Sequence, residues 1–469
     1  MGLTTSAIER LRGYLAQLPP KSQALLMREF ERAIERGTDV AVASLVLEQL
    51  RLIVRASDDN ERPRSGDEPS RLVFRPLEAF LVDTNAAVRP GQIRRGSLAS
   101  VWNWLAREAI VSDVAEFEST IRSQPAPASG PAVEQAVRKI QAATVAAIDK
   151  MTSPAGGGAD QRSASRIGGP SVMEDLHSIA AVLKSRDALE IFGARIQSNL
   201  RNLADSHLAS VQTAMNVPSL QTPQVLPFTL SLLMKRLALP WQVIRLAIAV
   251  AGSDDEIRVA ATTYSIAVTM VLHDLSRMVA DLRLDMKQGR LDSLSHHLKT
   301  IHDGVRGLRA ELDIRTESAW GKGLSAIRVD ISSMLKSEIE SVPGRVRRLL
   351  RQRPDKDIHA GSKLDPSEIE ETVALIDFVA VCRTYASELA INEMTLRTFS
   401  DLQHYIEAAT EALVDSLRAS DAKTRPFRQM QMDAAVRFCD VLFGHDYASL
   451  MRKAADVAIA GERKSSRAG

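Results

Sequence analysis

The sequence predicts an all-α protein of several helical parts around a central, coiled-coil-like antiparallel bundle of long helices. Three observations carry this. Apolar residues recur with alternating spacings of three and four over residues 257–346, which keeps them on one seam of a helix. Ala, Leu, Arg, Glu and Gln, all good helix formers, dominate a chain in which aromatic residues are only 4%. Finally, neither alternating strand runs nor two-residue hairpin signals occur.

At 469 residues the chain is too long for a single core, and about three domains or subdomains are expected. Hydrophobic residues at 45% and charged residues at 25% are globular values, so most of the chain should fold. The net charge of +2 is too slight to imply a nucleic-acid or membrane partner without a local patch. Cys382 and Cys439 are too far apart in sequence for a disulfide framework or a short-spaced metal pair, and a reducing, cytoplasmic setting is expected. No secretory leader is read at the start. Met1 to Ser6 matches an N-acylation pattern, but Ser6 and Glu9 fit a helix-opening capping box better. The apolar stretches Leu237 to Ala251 and Val259 to Leu272 are too short or too interrupted to span a bilayer and read as core helices.

Residues 1–124 read as an N-terminal helical region. Three helices run to about Arg55, broken by Pro19-Pro20 and by Gly37. The run Ser57 to Ser70 lacks apolar residues and is expected to be a loop. A Ser97-capped helix with Trp102 and Trp104 follows. Residues 125–170 read as a linker holding one Ala-rich helix, Ala132 to Met151, between Pro- and Gly-rich runs.

Residues 171–352 form the predicted central bundle, opened by a Ser171/Glu174 capping box. Its first stripe is Ile257, Ala261, Tyr264, Val268, Val271, Leu275, Met278 and Leu282. The second runs from Leu291 through Leu298 and Val305 to Leu312. The third runs from Leu324 through Ile331 and Ile339 to Val346. Long striped helices joined by short breaks describe an antiparallel bundle. Residues 353–366 read as a polar linker. Residues 367–469 form a C-terminal helical region, opened by a Ser367/Glu370 capping box and ending in a tail, Gly461 to Gly469, expected to be disordered.

No signature of catalysis is found. Gly321-Lys322 lacks the Ser or Thr of a phosphate loop, and Gly156 to Gly158 follows no strand. Glu174/His177 and Asp401/His404 place a carboxylate and an imidazole on one helical face, as di-iron bundles do, but solvated faces produce such pairs by chance. His273, His296, His297 and His302 read as surface histidines. No metal, cofactor or small-molecule substrate is indicated. The one candidate site is a basic run, Arg345, Arg347, Arg348, Arg351 and Arg353. Clustered arginines can bind nucleic acid or an anionic membrane, although cations also favour a helix C-terminus. The function expected is therefore that of a non-enzymatic scaffold, engaging a protein partner or itself. Peripheral polyanion binding through Arg345 to Arg353 is the alternative, and an enzyme with a dispersed site comes third.

Overall fold

A computed structural model describes residues 68–84, 87–123, 130–153, 164, 166–287, 294–359 and 361–465, with isolated positions before residue 51. Its described residues are all-α, with seventeen helices and one two-residue parallel strand pair. None of these helices is long and apolar enough to cross a membrane. The chain divides into two compact units, residues 1–197 with 213–233, and residues 198–212 with 234–469.

In the first unit, Leu15, Val46 and Leu50 share a buried cluster with Leu26 and Phe30 packed against it. These residues come from the three helices predicted before Arg55. Beyond them lie α1 (Pro69–Phe74), β1 (Leu81–Val82), β2 (Ile93–Arg94), α2 (Arg95–Trp104), α3 (Val111–Arg122) and α4 (Pro131–Thr152). Then come α5 (Pro170–Lys184) and α6 (Arg186–Arg195). After α7 (Asp205–Met215), which crosses between the units, comes α8 (Leu226–Met234). The Ala-rich helix α4 is no linker element: it packs on both α3 and α5 and buries Ile140 and Ile148. Trp102 meets Phe74 edge-on at 6.2 Å, and Phe80 meets Phe228 at 5.0 Å. Gly91 adopts φ +80°, and a Cβ there would lie 2.3 Å from the Pro227 carbonyl oxygen. Only glycine combines that backbone with so close an approach.

The predicted capping residues are displaced. Helix α2 starts at Arg95, and Ser97 is buried with its hydroxyl on Asp175. Helix α5 starts at Pro170 with no side-chain cap, and Glu174 pairs with Arg94 instead. In both cases a tertiary partner outcompetes the local bond.

In the second unit, α9 (Ile244–Ala251) and α10 (Glu256–Ala260) lead into α11 (Ile266–Lys287), α12 (Leu294–Glu311) and α13 (Ala319–Leu350). Helices α14 (Pro366–Tyr385), α15 (Asn392–Arg418), α16 (Arg425–Phe443) and α17 (His445–Ser465) follow. The tail expected from Gly461 is helical as far as Ser465. Helices α12 and α13 each pack on α11 and on α14, so these four close a bundle with α12 and α13 on one diagonal. The opposite side of α13 is covered by α15 and α16, and α17 packs on those two. The three stripes therefore recruit a fourth helix from beyond the predicted linker. Asp365 caps α14, its carboxylate accepting from Ser367 N, in place of the expected Ser367 cap.

The third stripe holds, and so does the second from Leu294 to Leu312, its first position, Leu291, lying outside the described residues. Leu298, Ile301, Val305 and Leu308, then Ile331, Leu335, Ile339, Val342 and Val346, are completely buried within this chain. The first does not run as one helix. Asp255 caps α10 through Arg258 N, and the Thr262 hydroxyl bonds back to the Val259 carbonyl, so the chain stops and restarts at α11. Ile257 consequently lies on the surface, 55% exposed. Gly307 lets the Trp241 ring lie against α12, since a Cβ there would meet it at 2.5 Å.

Leu335→Ala should cost about 3 kcal/mol in urea unfolding, as expected for a cavity in a packed seam. Val329→Ala, on the exposed side of the same helix, should change stability by no more than about 0.5 kcal/mol.

Candidate functional site

The five arginines of the basic run occupy the C-terminal end of α13, from Arg345 on, and the segment after it, and most are engaged by neighbouring helices. Arg345 pairs with Glu371 at 3.2 Å and Arg348 pairs with Glu368, both acids lying on α14. The Arg347 guanidinium sits over the Tyr405 ring at 5.6 Å, and that of Arg353 over the Phe427 ring at 5.0 Å. Arg351 is exposed and has no ion pair among the described residues. Helix α16 completes the arrangement. Gln431 Nε2 donates to the carbonyls of Leu349 and Arg351 at 3.0 and 2.9 Å, and Arg428 donates to that of Arg353 at 3.1 Å and to Asp355 at 2.7 Å. These bonds satisfy carbonyls that a helix end leaves open. Arg437, on the same helix, makes a two-point contact with Glu370, which holds that carboxyl below its ordinary range.

Electrostatically this is a seam of alternating charge joining α13, α14 and α16. Pairing with Glu368 and Glu371 cancels much of the field a polyanion would meet. The sequence did carry a signal for it: Glu368 and Glu371 stand three apart, one helical turn, just past the predicted linker. Arg428 and Gln431 carried none, because nothing local shows what a buried polar side chain reaches.

The remaining candidates are placed as follows. His297 Nδ1 lies 3.3 Å from Asp285, bridging α12 and α11. His302 is 3.0 Å from Asp303, and its ring meets that of Tyr385 at a tilt of 46° with centroids 5.0 Å apart. Glu174 is held by Arg94, and His177, Asp401 and His404 are exposed. The two carboxylate–imidazole pairs fall in different units. Among the described residues no group of three or more His, Cys, Asp or Glu is arranged to hold a metal. Cys382 and Cys439 are free and buried, and burial pushes the Cys382 thiol far above its ordinary range. Because the thiolate is the nucleophile, Cys382 is chemically quiet.

No known family model matches the chain, and no curated protein or solved structure is detectably similar to it.

Two features were not legible beforehand. One is a buried charge cluster in the first unit. Arg94 donates to Asp175 at 3.1 Å and to the Ser171 carbonyl at 3.0 Å, while Ser97 donates to Asp175 at 2.6 Å. The other is the outward face of α17. This helix turns Ala448, Ala455 and Ala458 inward and exposes Leu450 and Val457, at 58% and 66%. Met451 and Ile459 of the same helix are half-buried, so Leu450 and Val457 are the large apolar side chains it leaves in water.

Asp175→Ala should lower stability by about 3 kcal/mol, since it leaves Arg94 buried without its main counter-charge; Ser97→Ala should cost about 1 kcal/mol. Urea denaturation of both variants gives the values. For the arginine seam, Arg348→Glu should leave the salt needed to elute the protein from heparin unchanged, whereas Arg351→Glu should lower whatever retention exists.

Proposed function

We propose that this chain is a non-enzymatic helical scaffold that associates with a second copy of itself through α17. The observation that carries the reading is the exposed Leu450–Val457 stripe. These two residues are seven apart, two helical turns on one face, in a unit whose long apolar seams are otherwise consumed internally. Single exposed apolar residues are ordinary, but a pair in register on one helix is the unit from which helix–helix contacts are built.

Self-pairing suits this face. A twofold axis across the middle of α17 sets Leu450 of one copy against the partner's Val457, and the reverse, which is the self-complementarity an isologous contact requires.

Polyanion binding through Arg345 to Arg353 has less support, because Glu368 and Glu371 occupy two of the five arginines and ring faces cover two more.

Light scattering after size exclusion should show a mass rising from monomer to dimer as concentration increases to about 100 μM, an ordinary range for a contact of modest area. Leu450→Asp with Val457→Asp should return the protein to monomer with its unfolding midpoint nearly unchanged, since both residues are exposed. A strict monomer throughout, or a dimer that survives the double substitution, overturns the proposal.

A further inference from the structure

The four-helix bundle of the second unit is open at one end, where α12 finishes and α13 begins. These two helices lie on a diagonal, each packed on α11 and α14. The cleft left there has a volume of about 450 Å³, within the range of small-molecule sites, which occur between the helices of bundles. One stripe of α13 forms its wall, Gly321, Leu324, Ser325 and Arg328, at the i, i+3, i+4 and i+7 positions of a single face.

The lining is bipolar. At one end, Arg328 donates from Nε to the Glu388 carbonyl at 3.0 Å and Arg309 pairs with the Glu388 carboxylate at 2.8 Å. The two terminal nitrogens of Arg328 make no hydrogen bond among the described residues. At the other end are Asp254 and Asp313, whose main chains are joined by a backbone bond of 3.0 Å from Asp313 N to the Asp254 carbonyl. Both are exposed and neither is ion-paired among the described residues. The loop carrying Asp313 rests on the first turn of α13, where a Cβ on Gly321 would lie 2.0 Å from the Arg315 carbonyl oxygen. Buried Glu256 fixes that loop further by accepting from Arg315 N at 2.7 Å. From Gly321 to Arg328 the helix rises about 10 Å, which separates the two ends of the cleft.

We propose that this cleft binds short zwitterionic peptides, with their amino end at Asp254 and Asp313 and their carboxylate on Arg328. A polyphosphate would meet two uncompensated carboxylates, and a polyamine would meet the unpaired Arg328 guanidinium. A dipolar ligand satisfies both ends, and an extended chain of three residues spans about 10 Å. The Ser325 hydroxyl and the Leu324 side chain line the stretch between, offering one hydrogen-bonding group and one apolar contact to a peptide backbone. The planar fork of Arg328 presents its free nitrogens in the geometry that receives a carboxylate in two-point fashion.

The test is calorimetric titration of the full chain with trialanine, chosen because it has both charged termini and no side-chain specificity. Saturable binding is expected, weakened at least about tenfold by N-acetylation or C-amidation of the probe. Arg328→Ala should weaken it comparably, and so should Asp313→Asn, which acts at the opposite end of the cleft; circular dichroism and the unfolding midpoint confirm that both variants fold. Free alanine, too short to span, should bind more weakly than trialanine. Absence of binding to trialanine, equal binding of the blocked peptides or of alanine, or tighter binding of inorganic pyrophosphate would each overturn the assignment.

Discussion

The second unit depends on one constraint, the continuity of the buried stripe on α13. Thirty-two residues of helix extend about 48 Å, and the stripe from Leu324 to Leu350 is buried along its whole length. An isolated helix gains little from propensity, so α13 persists because α11, α14, α15 and α16 all close on it. The seam even tolerates Pro343, which removes one backbone donor and crowds the preceding turn at a cost of roughly 3 kcal/mol. Packing of Ile339, Val342 and Val346 on either side offsets that cost.

Where periodicity reports burial directly, the fold was legible. The second stripe from Leu294 onward and the whole third stripe name residues that the structure buries, and the fold class follows from them. The first stripe misled because spacing alone cannot distinguish one helix from two segments in register. The interruption is written in capping chemistry at Asp255 and Thr262, which competes locally with helix continuation. The three misplaced caps err differently. At Ser97 and Ser171 the motif was present, but the partner that decided the outcome was some eighty residues away in sequence, Asp175 for Ser97 and Arg94 for Glu174. At Ser367 the cap lies two residues earlier, because Pro366 suits the first helical position and Asp365 is the acceptor beside it.

The arginine run shows why a charge pattern is a weak pointer to function. Five arginines near a helix end read alike whether they face solvent or a neighbouring helix. What separates the cases is the acidity of the packed neighbour, and α14 supplies Glu368, Glu370 and Glu371 along one short stretch. The Glu370 carboxyl, depressed by the Arg437 hydrogen bonds, contributes stability that is present above the ordinary carboxylate pKa and is lost as pH falls through the depressed value. The seam is thus set to loosen on acidification, with α16 losing a charged tether to α14.

The two ends of α13 solve opposite electrostatic problems, and this bears on where function resides. At the C-terminus open carbonyls and clustered cations meet a helix, α16, whose Gln431 and Arg428 take up the carbonyls of Leu349, Arg351 and Arg353. At the N-terminus the helix cap is satisfied internally by Ser318, whose hydroxyl accepts from Gly321 N, but the charges around it are not. Asp254, Asp313 and the outer nitrogens of Arg328 have no counter-ion from the described residues, although oppositely charged groups lie within the same cleft. Direct pairing would neutralise both, yet the separation along the helix, held by the Gly321–Arg315 contact and by Glu256, keeps them apart. Opposite charges held apart at the mouth of a bundle gain most from a dipolar molecule that bridges them, so the end of α13 that packing leaves open is the one with chemistry to offer.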